Sequence, residues 1–107
     1  MITVKEIKKL LRHAIAEGII VEFYYHGGMR RVEPYAYGVH KESGNEVVSA
    51  YQIGGYSKSK KMLRWRMYLL KNIKDVRLTD EIFDLSNRPH YQPKDSRMSL
   101  VYCRKEK

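Results

Sequence analysis

Ile19-Ile20-Val21-Glu22-Phe23-Tyr24-Tyr25-His26-Gly27-Gly28-Met29-Arg30-Arg31-Val32-Glu33-Pro34-Tyr35-Ala36-Tyr37-Gly38-Val39 is the stretch that decides the fold. Its first part, Ile19 to His26, is rich in β-branched and aromatic residues, the types that suit a pleated surface. Gly27-Gly28 supplies the positive φ of a tight hairpin turn. Arg30 to Val39 runs back as a second strand, in which Pro34 lacks a backbone donor and argues for an edge position or a bulge. A chain that turns back on itself in this way starts an antiparallel sheet.

The neighbouring segments extend the pattern. Upstream, Thr3 and Glu6 form a capping box, and Val4, Ile7, Leu11, Ala14 and Ile15 recur at helical spacing. Leu10 widens the stripe, Lys5, Lys8, Lys9 and Arg12 cover the other side, and Gly18 ends the helix. Downstream, Glu42-Ser43-Gly44-Asn45 is a turn. In the strand that follows it, Val47, Ser49, Tyr51 and Ile53 share one face and Val48, Ala50 and Gln52 the other. In the strand Leu63 to Leu70, Trp65, Met67 and Leu69 oppose Arg64, Arg66, Tyr68 and Leu70. Ile73 to Leu78 is a fifth strand, and Thr79-Asp80-Glu81 is compatible with a helical turn that carries Ile82 and Phe83.

The expectation is one domain over 1–107: a helix over 3–17, strands over 19–26, 30–39, 46–53, 63–70 and 73–78, then a C-terminal loop and short strand within 86–103. The fold class is mostly β with one N-terminal helix, a small bent antiparallel sheet or barrel. Ile15, Val21, Phe23, Val48, Trp65 and Leu70 are the expected core.

Composition agrees with a single folded unit. The 107 residues suit one domain. Ile, Val, Leu and Phe make about a quarter of the chain, above the roughly one fifth below which disorder is expected. Lys and Arg number 21 against 12 acids, for a net charge of +9. Such an excess attracts polyanions, so nucleic acid, nucleotides and acidic protein surfaces are the natural partners, with solubility alone as the plainer explanation. The lone Cys103 allows no internal disulfide and builds no zinc site unaided. Charges interrupt every apolar run near Met1, so neither a signal peptide nor a membrane span of ~20 apolar residues is expected, and a cytoplasmic protein is.

Catalytic signatures are missing. His13, His26, His40 and His90 have no close ligand spacing, and there is no nucleophile elbow and no P-loop. No enzyme, metal or cofactor is expected. Glu33 and Asp75 are candidate buried partners for arginines.

The run from Gly54 to Lys74 is different. It holds Lys58, Lys60, Lys61, Arg64, Arg66, Lys71 and Lys74 and no acid. Ser57 and Ser59 sit inside it, and Tyr56 and Trp65 flank it. Hydroxyls and backbone amides bond phosphate oxygens, lysines add charge and aromatic faces stack on bases. The competing reading is a solvated loop beside a core tryptophan. Arg30 and Arg31, adjacent on a strand, point to opposite faces, so at most one of them serves a given pocket.

Phe23-Tyr24-Tyr25-His26-Gly27-Gly28, Arg31-Val32-Glu33-Pro34-Tyr35, Ala50-Tyr51, Arg66-Met67-Tyr68-Leu69-Leu70 with Ile73, and then Phe83 follow one another in an order that resembles the WYL domain family. The Gly54-Gly55-Tyr56-Ser57-Lys58-Ser59 loop and Trp65 resemble its short stand-alone members in particular, and the resemblance runs from Ile7 to Phe83. It implies an Sm-like or SH3-like barrel. It also implies a ligand-sensing module for nucleic acid or nucleotides, of the kind found in transcription regulation and phage defence, with Arg31, Tyr51 and Arg66 as pocket residues. The family's Trp-Tyr-Leu tripeptide is replaced here by Glu46-Val47-Val48, and two arginines of its later motif by Leu69 and Asn72. There is no helix-turn-helix, so a role in transcription requires a partner protein. The expected ligand-binding set is Arg31, Tyr51, Tyr56, Ser57, Lys58, Ser59 and Arg66, of which Arg31, Tyr51, Ser57, Ser59 and Arg66 are expected to converge on one concave surface. An acidic protein partner is the alternative.

Overall fold

The structure is a computed structural model that describes residues 3–56, 64–84 and 97–105. In chain order the elements are α1 (Val4–Glu17), β1 (Ile19–Tyr25), β2 (Gly28–His40), β3 (Glu46–Gly55), β4 (Arg64–Leu69), a 3-10 turn (Leu70–Asn72), β5 (Lys74–Ile82) and β6 (Met98–Arg104). The expected mostly-β fold with a leading helix is present. The sheet is antiparallel and runs β4-β3-β2-β1-β5, with β6 also paired to β2. It stays open and does not close into a barrel.

The capping box at Thr3 and Glu6 forms, and Gly18 closes α1 in the left-handed region at φ 72. Ile7, Leu11, Ala14 and Ile15 are buried, whereas Val4, in the first turn, stays exposed. The hairpin turn is one residue earlier than the glycine pair suggests. Tyr25 pairs with Gly28, and His26 (φ 41) and Gly27 (φ 93) occupy the two turn positions. A two-residue turn with positive φ at both positions matches the strand twist, and histidine is among the residues that tolerate it.

β2 is a central strand. Its first residues pair with β1 and Ala36 to His40 pair with β6, while β3 lines the other side. Pro34 falls between the β1 and β6 segments, at a register shift against β3, where its missing N–H disrupts nothing. The bulge is present and the edge position is not. β5 continues through Thr79, Asp80 and Glu81 to Ile82, so the helical turn expected there is corrected to strand. The Thr79 hydroxyl donates to Ile20 O at 2.6 Å, which helps keep that segment on β1. Leu70 leaves β4 and begins the 3-10 turn.

Residue alternation divides the apolar side chains between two faces. Val21, Phe23, Val32, Val48, Ala50 and Tyr68 join Ile7, Leu11, Ala14 and Ile15 in the main core beneath α1. Ile20, Tyr35 and Phe83 gather on the far face with Tyr51, Ile53 and Trp65 packed on them. Ile15, Val21, Phe23, Val48 and Leu70 are buried as expected. Trp65 is half-buried in the far-face cluster, its ring 4.9 Å from Tyr35 and 5.3 Å from Tyr51, because it alternates with the core-facing Arg66 and Tyr68.

Candidate anionic-ligand groove

Past the end of the main core the helix-side face of the sheet becomes a groove of about 850 Å³. Tyr25, His26, Arg30, Tyr56, Arg66, Tyr68 and Arg97 line it, with Trp65 and Met67 flanking Arg66 on β4. The volume is that of a pocket for a small organic ligand. Among the described residues that line it, three are arginines and none is acidic.

Arg30 is the most deeply buried of the three arginines. On β2 it alternates with core-facing Val32, and it is 4 % exposed. Its Nε and one terminal nitrogen donate to Tyr25 O at 3.2 and 2.9 Å. The guanidinium carbon lies 5.6 Å from the Tyr25 ring centre and 5.2 Å from that of Tyr56. Backbone carbonyls and two π faces thus hold the charge, and among the described residues no carboxylate pairs with it.

Two glycines place Tyr56. Gly55 has φ 85, and a side chain there would collide with the Met29 carbonyl; one on Gly28 would collide with the Tyr56 side chain itself. The Tyr56 N–H donates to Met29 O at 2.7 Å. From below, the fully buried Gln52 donates through Nε2 to Gly54 O (3.0 Å) and Tyr56 O (2.8 Å), and its Oε1 accepts from the Tyr68 hydroxyl at 3.1 Å. Burial pushes the Tyr68 phenol up to about 12, so it remains a donor across the neutral range. The Tyr25 hydroxyl accepts from Leu69 N–H at 3.0 Å, and the Tyr25 ring meets Tyr68 edge-on at 4.9 Å. Tyr56 is 45 % exposed, so part of it is accessible to a stacking partner.

The expected site divides into three. Tyr56 and Arg66 line the groove. Arg31 and Tyr51 do not: Tyr51 packs with Tyr35 and Trp65 on the far face. Arg31 donates there to Glu22 at 2.8 Å and pairs with Glu81, and Arg77 pairs with the same Glu22. The hydrogen bond to Glu81 raises the Arg31 pKa, and the bonds from Arg77 and Arg31 hold Glu22 below its usual range. The expectation that Arg31, Tyr51 and Arg66 share one surface is therefore corrected. The alternation that allows one arginine of the pair into a pocket selects Arg30. Ser57, Lys58 and Ser59 lie outside the described residues. Glu33 is buried and accepts the Tyr35 hydroxyl at 3.0 Å, whereas Asp75 is exposed, so it is no buried partner.

Tyr25, His26, Arg30, Gln52, Tyr68 and Arg97 were missed as site residues. The signal for Arg30 was present, since it is two residues from the apolar Val32. Gln52 carried one too, as the polar end of the face that holds Val48 and Ala50. Arg97 reaches the groove through tertiary structure alone.

Among the described residues no cluster of His, Cys, Asp and Glu suited to a metal is found, and no helix is long and apolar enough to cross a membrane. Comparison of the chain with family models, with curated proteins and with solved structures finds no match.

Proposed function

We propose that this chain is a WYL-like ligand-binding module, acting without catalysis, whose groove takes an anionic ligand built from nucleotides. The carrying observation is the juxtaposition of Arg30, Arg66 and Arg97 with the exposed Tyr56 in a groove whose described lining has no acid. Guanidinium groups bind phosphate with two parallel hydrogen bonds, and a ring face accepts any base. A net charge of +9 steers such ligands toward the protein. The resemblance to WYL domains points to the same ligand class and to a role in transcription regulation or phage defence, through a partner that contacts DNA.

Fluorescence anisotropy with labelled oligodeoxythymidylate, competed by mononucleotides, tests this reading. Saturable binding is expected, with an affinity that falls on a log–log salt plot by about 0.7 per phosphate contact. Arg66→Ala should weaken binding and lower that slope by nearly one contact. Tyr56→Ala should weaken it by about 1–3 kcal/mol with the slope almost unchanged, because stacking releases no counterion. Absence of binding at low salt, or binding indifferent to both substitutions, refutes the reading. Competition by polyglutamate but not by oligonucleotides would favour an acidic protein partner instead.

A further inference from the structure

A second groove of about 520 Å³ lies on the other side of the hairpin turn, lined by Tyr24, Tyr25, His26, Gly27, Asn72, Lys74 and Asp75. Tyr25 and His26 belong to both grooves and form the wall between them. We propose that this second groove is a further nucleotide subsite, so that the ligand is an oligonucleotide of at least two nucleotides lying across the Tyr25–His26 wall. The inference rests on the reading of the first groove as a nucleotide site.

Three features of the second groove support it. Its chemistry is complementary to a nucleoside phosphate. Lys74 is an exposed cation on the first residue of β5, and Tyr24, its partner in the β1–β5 register, is 50 % exposed and offers a ring face. Asn72 and Asp75 add a carboxamide and a carboxylate, groups that bond base edges and sugar hydroxyls; the carboxylate disfavours a bare phosphate beside it and assigns the phosphate to the Lys74 side. Next, the groove is shaped by two unusual backbone positions. His26 (φ 41) and Asp75 (φ 54) are the only non-glycine residues with positive φ among those described, and both line this groove. At His26 the hairpin turn itself requires the positive φ, whereas at Asp75 the conformation costs energy, of the kind that concentrates where a surface is shaped for a ligand. Finally, the wall is shared and tied to both sides: His26 Nε2 lies 3.4 Å from Asn72 Nδ2, while His26 O and Tyr25 O face the Arg30 guanidinium. A ligand held in the first groove therefore meets the second without crossing unrelated surface. Each groove falls within the size range of a small-ligand pocket, so each suits one unit of a chain.

The test is chain-length dependence, measured by isothermal titration calorimetry with thymidine monophosphate, its dinucleotide and a tetranucleotide. Affinity should rise at least ~10-fold from one unit to the tetranucleotide, as expected when two subsites share one ligand. Lys74→Gln, at an exposed position, should narrow that gap and reduce the salt slope of tetranucleotide binding by about 0.7, one phosphate contact. Tyr24→Ser should narrow the gap and leave the slope unchanged. Retained circular dichroism and urea midpoints establish that both variants are folded. Equal affinity for monomer and tetranucleotide, or a gap untouched by Lys74→Gln and Tyr24→Ser while Arg66→Ala still weakens binding, overturns the second subsite and leaves the first groove standing. Absence of binding by every length removes both.

Discussion

Replacing Gln52 by leucine should destabilise the protein and loosen the groove together. Gln52 is fully buried, and its carboxamide makes three hydrogen bonds: to the carbonyls of Gly54 and Tyr56 and from the Tyr68 hydroxyl. Leucine has a similar volume, so the cavity cost is small. The polar partners determine the loss. The Tyr68 hydroxyl is buried in a residue only 1 % exposed, and an unpaired buried donor costs about 1–3 kcal/mol. The two carbonyls are part-buried, so water replaces some of their bonding, and they add roughly 0.5–1 kcal/mol each. The total is about 2–5 kcal/mol. For a domain of 107 residues this corresponds to a fall in Tm of roughly 10–20 °C. Urea titration should show a lower midpoint with an unchanged slope, the mark of a stability change without a change in compactness. A cycle with Tyr68→Phe isolates the shared bond. The double variant should be less destabilised than the sum of the two single variants by about 1 kcal/mol. Oligonucleotide affinity should fall as well, because Gln52 fixes the backbone that carries Tyr56. A cost below 1 kcal/mol, or full affinity in a destabilised variant, would refute the assignment of Gln52 as the support of the groove.

Phe23→Ala removes a fully buried ring that packs edge-on to Tyr68 at 5.0 Å and should cost about 3–5 kcal/mol. Trp65→Ala, at a half-buried site, should cost less, near 2 kcal/mol, by the same urea midpoints. Gly55→Ala imposes positive φ on a side-chain-bearing residue and drives its Cβ into the Met29 carbonyl; a loss of at least ~2 kcal/mol is expected, with weaker ligand binding. Glu22 has a folded pKa below its unfolded one, so the stability it contributes is present above about pH 4.3 and is lost as pH falls through the folded value. The difference in urea midpoint between wild type and Glu22→Gln should therefore be full near pH 6 and shrink below pH 4. Tyr68 shifts the other way: its stabilisation is complete below about pH 10 and is lost as pH rises toward 12, and ultraviolet titration of wild type against Tyr68→Phe reads this directly.

Local chemistry determined the elements. The capping box at Thr3 and Glu6, the stripe from Ile7 to Ile15 and Gly18 delimit α1 without tertiary information, because a cap and a helical period are properties of adjacent residues. The two-residue period likewise divides β3 and β4 into the faces they present, down to the placement of Trp65 opposite Arg66. Extending β5 through Thr79 to Glu81 needed the tertiary structure, since polar residues become strand there by pairing with β1 and by the Thr79 bond to Ile20. The same holds for the open sheet: only the assembled strands settle that β6 joins β2 beside β1 and leaves the sheet unclosed.

The candidate site follows the same division. Basic and aromatic character between Gly54 and Lys74 is legible in the sequence, and Tyr56 and Arg66 are where that character leads. Sequence alone allowed one arginine of Arg30-Arg31 into a pocket but not which one. The acids that occupy Arg31 are nine residues upstream in Glu22 and fifty residues downstream in Glu81, and only the β1–β2 and β1–β5 pairings bring both to it. With Arg31 neutralised on the far face, the cation left for the groove is Arg30, held between Tyr25 and Tyr56 by contacts across the hairpin. Residue type and period belong to the chain; which charges are cancelled and which face a groove depends on strand register, and register is set by the whole sheet.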